Sequence, residues 1–286
     1  IQNSIIGYEL DNKFFSADPN GTFCDNLKVL FYKYSVKKNF INTIKNVFND
    51  LKIQIEDFVP TPLSSALATL NTDDKILGSI CLDLGASSSS IAVFENGKVI
   101  FLDAVGVGGN NITNDIARGI PTDIENAERL KTLYGSVISS PSDEFELIEV
   151  PSQVTESSNF RQINRNKINT IIKARVEETL ELVWQKLKEY NLHRKQIKNV
   201  ILTGGASSLE GITEYAQIIF DSNVRIGKPT PIKGLDTKFL KSEFSETIGS
   251  ILFNKTDYDI EFLKNTENLP KNSTLNQFFA WLDRYI

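Results

Sequence analysis

The chain has 286 residues, 41% of them hydrophobic and 23% charged, enough to bury one large core or two ordinary ones. A net charge of −5 with no arginine-rich block excludes a general pull toward nucleic acid. Two cysteines exclude a disulfide framework and fit a reducing cytoplasm, and the single His193, without ligand spacing around it, excludes a metal site or triad built on histidine.

No signal peptide and no run of about 18 apolar residues is present. The chain starts at Ile1 and contains no methionine, and it reads as a fragment whose N-terminal portion is missing. Residues 1–60 read as a small α+β unit. Its strands lie around Ile5–Leu10 and Leu27–Val36 with the turn Asp18-Pro19-Asn20-Gly21 between them. Phe40, Ile41, Ile44, Val47, Phe48 and Leu51 recur at helical spacing and predict an amphipathic helix against that sheet. Ile53–Phe58 reads as a further strand before Pro60-Thr61-Pro62, followed by a short small-residue helix, Ser64–Leu70, and a polar linker, Asn71–Lys75.

From residue 79 the order is strand, turn, strand, turn, strand. Ser79–Leu84 turns through Gly85–Ser88 into Ser90–Phe94, and Asn96-Gly97 predicts a tight type I′ hairpin into Lys98–Leu102. Cys81 falls inside the first of these strands as a buried thiol. A stretch with Gly106, Gly108 and Gly109 leads into a helix at Thr113–Arg118, a mixed helical region covers Ile124–Leu133, and turn residues cluster near Ser139–Asp143. Ile168, Ile172, Val176, Leu180, Val183 and Leu187 form the core face of a long helix flanked by Arg175, Glu177, Glu178 and Lys186. A strand at Val200–Thr203 ends in Gly204-Gly205-Ala206. Gly211–Phe220 then reads as helix, Val224–Ile226 as strand, Pro229 and Pro231 as loop and Glu243–Phe253 as helix. Thr256–Lys271 has linker composition. In the last residues Leu275, Phe278, Phe279, Leu282 and Ile286 share one helical face flanked by Trp281 and Tyr285, a pattern suited to a lipid headgroup boundary.

Two segments carry chemistry. A phosphate bound at a strand-turn-strand corner needs backbone N–H donors and hydroxyls close to it, which Gly85, Ala86, Ser87 and Ser88 supply, with Asp83 placed to hold water on a Mg2+ ion. A serine-rich tight hairpin is the plainer alternative. Gly204, Gly205 and Ala206 leave room for a purine ring to lie on the backbone, or form an ordinary strand-to-helix turn. Glu128 and Lys131 lie one helical turn apart, a spacing that equally suits a surface ion pair.

Taken in order, Asp83-Leu-Gly85, Gly108-Gly109-Asn110, Asn114-Asp115-Ile116-Ala117, Ala127-Glu128-Arg-Leu-Lys131, Tyr134-Gly135 and Thr203-Gly204-Gly205-Ala206 resemble the actin-like cell-division family FtsA. The stretch from Gly108 to Asp143 is especially similar to α-proteobacterial members, and the resemblance extends over essentially the whole chain. It implies an α/β actin/Hsp70-like ATP-binding fold with ribonuclease-H-like subdomains and the FtsA-type subdomain 1C. Residues 1–60 would be 1C, 61–77 part of 1A, 78–115 and 196–235 subdomain 2A, 116–195 subdomain 2B, and 236–254 the return to 1A. A linker at 255–272 and a membrane-targeting helix at 273–286 would complete the chain. The resemblance also implies ATP and Mg2+ as cofactors. Gly85–Ser88 would be the second phosphate loop, with Asp83 holding Mg2+ through water. Gly109, Glu128 and Lys131 would join the nucleotide site, Glu128 and Lys131 facing the nucleoside, and Gly204–Ala206 would face the adenosine. Implied partners are the C-terminal tail of the tubulin-like protein FtsZ at 2B, further copies in a filament, other division proteins at residues 1–60, and inner-membrane lipid. No nucleic acid is expected.

The departures from the family pattern bear on chemistry. Ala86 and Ser87 stand where the family usually has glycines, so their Cβ atoms can hold phosphates off the backbone. Thr61 stands where hydrolytic relatives place a carboxylate before the proline, so rapid hydrolysis is not expected and ATP reads as a conformational ligand. Asp283 and Arg284 leave the terminal helix without a basic face, so apolar burial at roughly 25 cal/mol per Å2 gives weak attachment that polymerisation multiplies. The leading expectation is a non-enzymatic, polymerising adaptor that tethers FtsZ filaments to the cytoplasmic face of the inner membrane at the division site. A pilus- or secretion-type actin-like scaffold and a phosphotransferase of the same superfamily are the alternatives.

Overall fold

A computed structural model of the chain describes residues 2–15, 17–151, 160–190, 192 and 197–253, which fall into two compact units, 2–55 and 56–253. His193, the 255–272 linker and the terminal helix with Leu275, Phe278, Phe279, Trp281, Leu282 and Ile286 lie outside the described residues.

The first unit is an antiparallel sheet of β1 (Gln2–Leu10), β2 (Lys13–Phe15) and β3 (Leu27–Tyr34) in the order β2-β1-β3, with a helix, α1 (Lys38–Asp50). Asp11 and Asn12 turn the first hairpin in left-handed conformations, φ 46° and 69°. The Asp11 carboxylate then accepts the Asn26 N–H at 2.8 Å, which fixes where β3 begins. The six-residue periodicity of Phe40–Leu51 does form a helix, but none of its residues is buried, and Phe40, Val47 and Leu51 remain exposed. Apolar spacing dictates a helix; it does not dictate what covers it. The strand expected at Ile53–Phe58 is absent, because no neighbouring strand is there to pair with it and the run continues as irregular backbone to Pro60.

The second unit is built on a five-stranded mixed sheet in the order β10-β9-β4-β5-β6. Its strands are β4 (Ser79–Leu84), β5 (Ser89–Glu95), β6 (Lys98–Val105), β9 (Asn199–Thr203) and β10 (Asn223–Ile226). The strands β10, β9 and β4 run parallel; β4, β5 and β6 are joined as antiparallel hairpins. Asn96 and Gly97 both have positive φ at the β5–β6 turn, as the Asn-Gly pair predicts.

Every residue of β4 is buried, because both faces of the sheet are covered. Ile80, Leu82 and Leu84 face the main core with α4 (Gly109–Gly119), α6 (Arg165–Glu189) and α7 (Ile212–Phe220). Cys81 and Asp83 face α2 (Thr61–Thr69), with the Cys81 sulfur 3.5 Å from the Thr69 hydroxyl. Burial pushes the Cys81 thiol up to about 12, so it is an inert packing group. All six residues of the expected α6 stripe are buried, joined by Asn169 and Thr179. Arg175 on its flank donates to Asp115 of α4 at 2.5 Å.

Two polar runs resolve differently from their composition. Asn71–Lys75 is the start of α3 (Thr72–Leu77), not a linker: the Asn71 side chain accepts the Asp74 N–H at 2.7 Å while the Asp74 carboxylate accepts the Asn71 N–H at 3.0 Å. A reciprocal capping box is polar by construction and has the same composition as a linker. Near Ser139–Asp143 the chain makes a 3-10 turn, Pro141–Glu144, whose buried Asp143 accepts from Ser140 and from Asn169 of α6. The helix α5 (Ile124–Tyr134) is as expected, whereas the hairpin of β7 (Leu147–Pro151) and β8 (Phe160–Asn164) is an addition to the expected elements.

The last helix among the described residues, α8 (Ser245–Phe253), follows a 3-10 turn at Ser242–Phe244 and packs along α2. The two helices approach so closely that a Cβ on Gly249 would overlap the Ser64 carbonyl, and the Ser64 and Ser250 hydroxyls meet at 2.7 Å. Gly249→Ala is therefore expected to destabilise the protein by about 1–3 kcal/mol, as overpacking does. A lowered urea midpoint with an unchanged slope is the expected result.

Candidate functional site

Three backbone segments converge at the ends of β4 and β9. Asp83 pairs in register with Thr203 of β9 on one side and Ser90 of β5 on the other. Beyond Thr203 the chain turns at Gly204 with φ +82°. A Cβ there would lie 2.7 Å from the Leu84 carbonyl oxygen and overlap the Asp83 carboxylate, so only glycine fits both the conformation and the space. Around Gly205 the space is open, with nothing within 4 Å of where its Cβ would be.

After Asp83 the chain closes a tight turn in which the Gly85 N–H donates to the Ser88 carbonyl at 3.0 Å. The carbonyls of Gly85 and Ala86 accept the Gly109 and Asn110 N–H groups at 2.9 and 2.7 Å, so the start of α4 docks on this loop. A Cβ on Gly108 would come within 2.6 Å of the Gly85 oxygen, which explains the small residues that precede α4. Ala86, Ser87 and Ser88 are exposed, and their N–H groups donate to no backbone carbonyl among the described residues. The first amides of α4 are thus consumed by the protein itself, and the loop amides are the ones left for a ligand.

Gly109 is the meeting point: a Cβ built on it would lie 3.5 Å from the Ala206 Cβ, 3.6 Å from the Lys131 ammonium and 3.7 Å from the Gly85 oxygen. Lys131 is buried and its three protons have three acceptors, the Gly109 carbonyl at 3.2 Å, the Thr113 hydroxyl at 2.8 Å and Glu128 at 2.6 Å. Glu128 also accepts from Thr113 at 2.5 Å and lines a groove of about 880 Å3 together with Asn110 and Thr113. Burial works to raise the Glu128 carboxyl, but the hydrogen bonds from Lys131 and Thr113 outweigh it and hold the group below its ordinary value of 4.5.

Asp83 is perturbed the other way. Burial pushes its carboxyl up, the Ser65 hydroxyl donating to it offsets part of that, and the charge of Glu246 adds to the rise. Ser65, Thr113 and Glu246 were not singled out from the sequence. Ser65 lies four residues after Thr61 on α2, and that helical spacing was the available signal; Glu246 reaches Thr61 across 185 residues, at 2.7 Å, and no local pattern announces it. Among the described residues no three acidic, cysteine or histidine side chains cluster as metal ligands, and no helix is long and apolar enough to cross a membrane.

A mixed sheet whose strand ends carry a hydroxyl-rich turn and a glycine turn, with helices on both faces, is the architecture of actin-like proteins. Solved structures place it in that class. MreB5 of Spiroplasma citri bound to ADP matches with a TM-score of 0.64 at 15% identity, over 91% of this chain and 90% of that one. The PilM–PilN type IV pilus biogenesis complex matches with a TM-score of 0.53 at 17% identity, over 76% of this chain and 58% of that chain. Within the class, the family model described as cell division protein FtsA matches residues 80–249. The FtsA of Agrobacterium fabrum is 36% identical over 249 residues, which is 86% of this chain and 56% of that protein. The FtsA of Bacillus subtilis is 32% identical over 235 residues, 80% of this chain and 53% of that protein. The chain belongs to the FtsA family and spans about half the length of the relatives it matches.

Removing the Lys131 ammonium removes the larger of the two causes that hold Glu128 low. Lys131→Met is expected to raise the Glu128 carboxyl, read by carboxyl-carbon NMR. Because the Glu128 pKa is lowered on folding, its contribution is present above pH 4.5 and is lost as pH falls through the folded value. The stability gap between wild type and Lys131→Met is therefore expected to narrow below pH 4.5.

Proposed function

We propose that this protein is an ATP-binding, polymerising adaptor of the division machinery that holds FtsZ filaments on the cytoplasmic face of the inner membrane. The observation that carries the reading is the convergence of the Gly85–Ser88 turn, Gly109 and Gly204–Ala206 around open space above Gly205. In this reading the free amides of Ala86–Ser88 hold the phosphates, the glycine turn at Gly204–Gly205 takes the adenosine, and Glu128 meets the nucleoside from the groove wall. MreB5 of Spiroplasma citri binds ADP on the same fold, which supports a nucleotide as the ligand here.

The donor set fits Mg2+ in a limited sense. One carboxylate, Asp83, with neighbouring hydroxyls suits an ion that keeps most of its water and takes its remaining ligands from phosphates. When bound, such an ion neutralises phosphate charge; Asp83 would orient its water. Thr61 at the first position of α2 offers a hydroxyl where an acid would activate water, which supports slow turnover and a nucleotide that acts mainly on conformation.

Residues 1–60 are assigned to the partner- and filament-contacting subdomain 1C and 116–195 to the subdomain that receives the FtsZ tail. The terminal helix, with Leu275, Phe278, Phe279, Trp281, Leu282 and Ile286, is assigned to the lipid surface. A single short helix binds weakly, and a filament multiplies weak anchors. Two pelleting experiments on the full-length protein test the proposal. With anionic-lipid vesicles, deletion of Leu275–Ile286 is expected to abolish co-pelleting; unchanged pelleting refutes the tether. With FtsZ present, the intact protein is expected to carry FtsZ to vesicles in the presence of ATP, and no FtsZ in the pellet with or without ATP refutes the adaptor.

A further inference from the structure

Glu246 has the attributes of an oriented base. It sits in the first turn of α8, exposed to water, and accepts the Thr61 hydroxyl at 2.7 Å through one carboxylate oxygen. Its second oxygen has no partner among the described residues, and no lysine or arginine there forms an ion pair with Glu246 or Asp83. Its chain neighbour Ser245 meets the Thr203 hydroxyl at 2.6 Å, and Thr203 is in register with Asp83, which fixes its neighbourhood: the ends of β9 and β4, immediately before the Gly85–Ser88 turn.

The surrounding groups favour an anion and a water molecule beside this carboxylate. Thr61 and Ser65 are four residues apart and so share one face of α2, with Ser65 on Asp83 and Thr61 on Glu246. Both α2 and α8 begin here, and their first turns present the positive ends of helix dipoles that offset two uncompensated carboxylates.

Resting on the nucleotide reading of this site, we infer that Glu246 is a catalytic residue for slow hydrolysis of a bound nucleoside triphosphate. The oxygen of a water molecule forms a bond to the terminal phosphorus while the bond from that phosphorus to the bridging oxygen breaks. The electron pair leaves with the nucleoside diphosphate, and the water proton passes to the Glu246 carboxylate, held in place by Thr61. The acid absent from position 61 is thus supplied from α8.

The experiment uses the full-length protein, a fluorescent ATP analogue for affinity, and labelled ATP for single-turnover phosphate release. Glu246→Gln is expected to slow phosphate release about 100-fold while analogue affinity changes less than about threefold and the fold is retained. Glu246→Asp, which keeps the acid, is expected to recover part of the rate and guards against a packing defect. Phosphate release by Glu246→Gln at the wild-type rate, or binding by the wild type without any turnover, overturns the role of Glu246 and leaves the nucleotide site standing. No binding of the analogue by the wild type overturns the nucleotide reading and this inference together.

Discussion

The architecture of the site depends on backbone approaching backbone at the ends of β4 and β9. The Gly204 turn presses against Leu84 and Asp83, and the Gly85–Ala86 carbonyls seat the start of α4, each at a separation that leaves no room for a Cβ. Interiors are packed densely enough that one added methyl forces a shift. Small residues at these points therefore let three separate chain segments meet, next to a Gly205 whose Cβ position is open.

Electrostatics then divides the site into two unlike halves. On the α5 side Lys131 is buried and completely satisfied, and its field keeps Glu128 ionised beside the groove. On the α2–α8 side two carboxylates, Asp83 and Glu246, have no cation among the described residues, and burial and like charge drive Asp83 upward. The first half is closed and self-sufficient; the second half leaves its carboxylates without a cation among the described residues. The close contact of α2 with α8 at Gly249 links this second half to packing away from the strand ends.

Legibility tracked how local the cause was. The β4–β5–β6 hairpins, the Asn96-Gly97 turn and the buried stripe of α6 depend on spacing within a few residues, and each formed at the expected place. The failures have local explanations as well. The capping box at Asn71–Asp74 has the composition of a linker, and Ile53–Phe58 has the composition of a strand without a partner to pair with. The apolar face of α1 predicted a helix and a covering sheet, and only the helix followed.

The sequence by itself determined the central hairpins, the α6 stripe, the family, and the small residues at the strand ends, because conformational preference and periodicity act over neighbouring positions. Only the tertiary structure decided that the α4 amides are spent on the Gly85–Ala86 carbonyls, that Lys131 has no proton to spare, and that Thr61 meets Glu246 from the other end of the unit. Those contacts join residues up to 185 positions apart, and no spacing in a one-dimensional pattern encodes which distant side chain arrives.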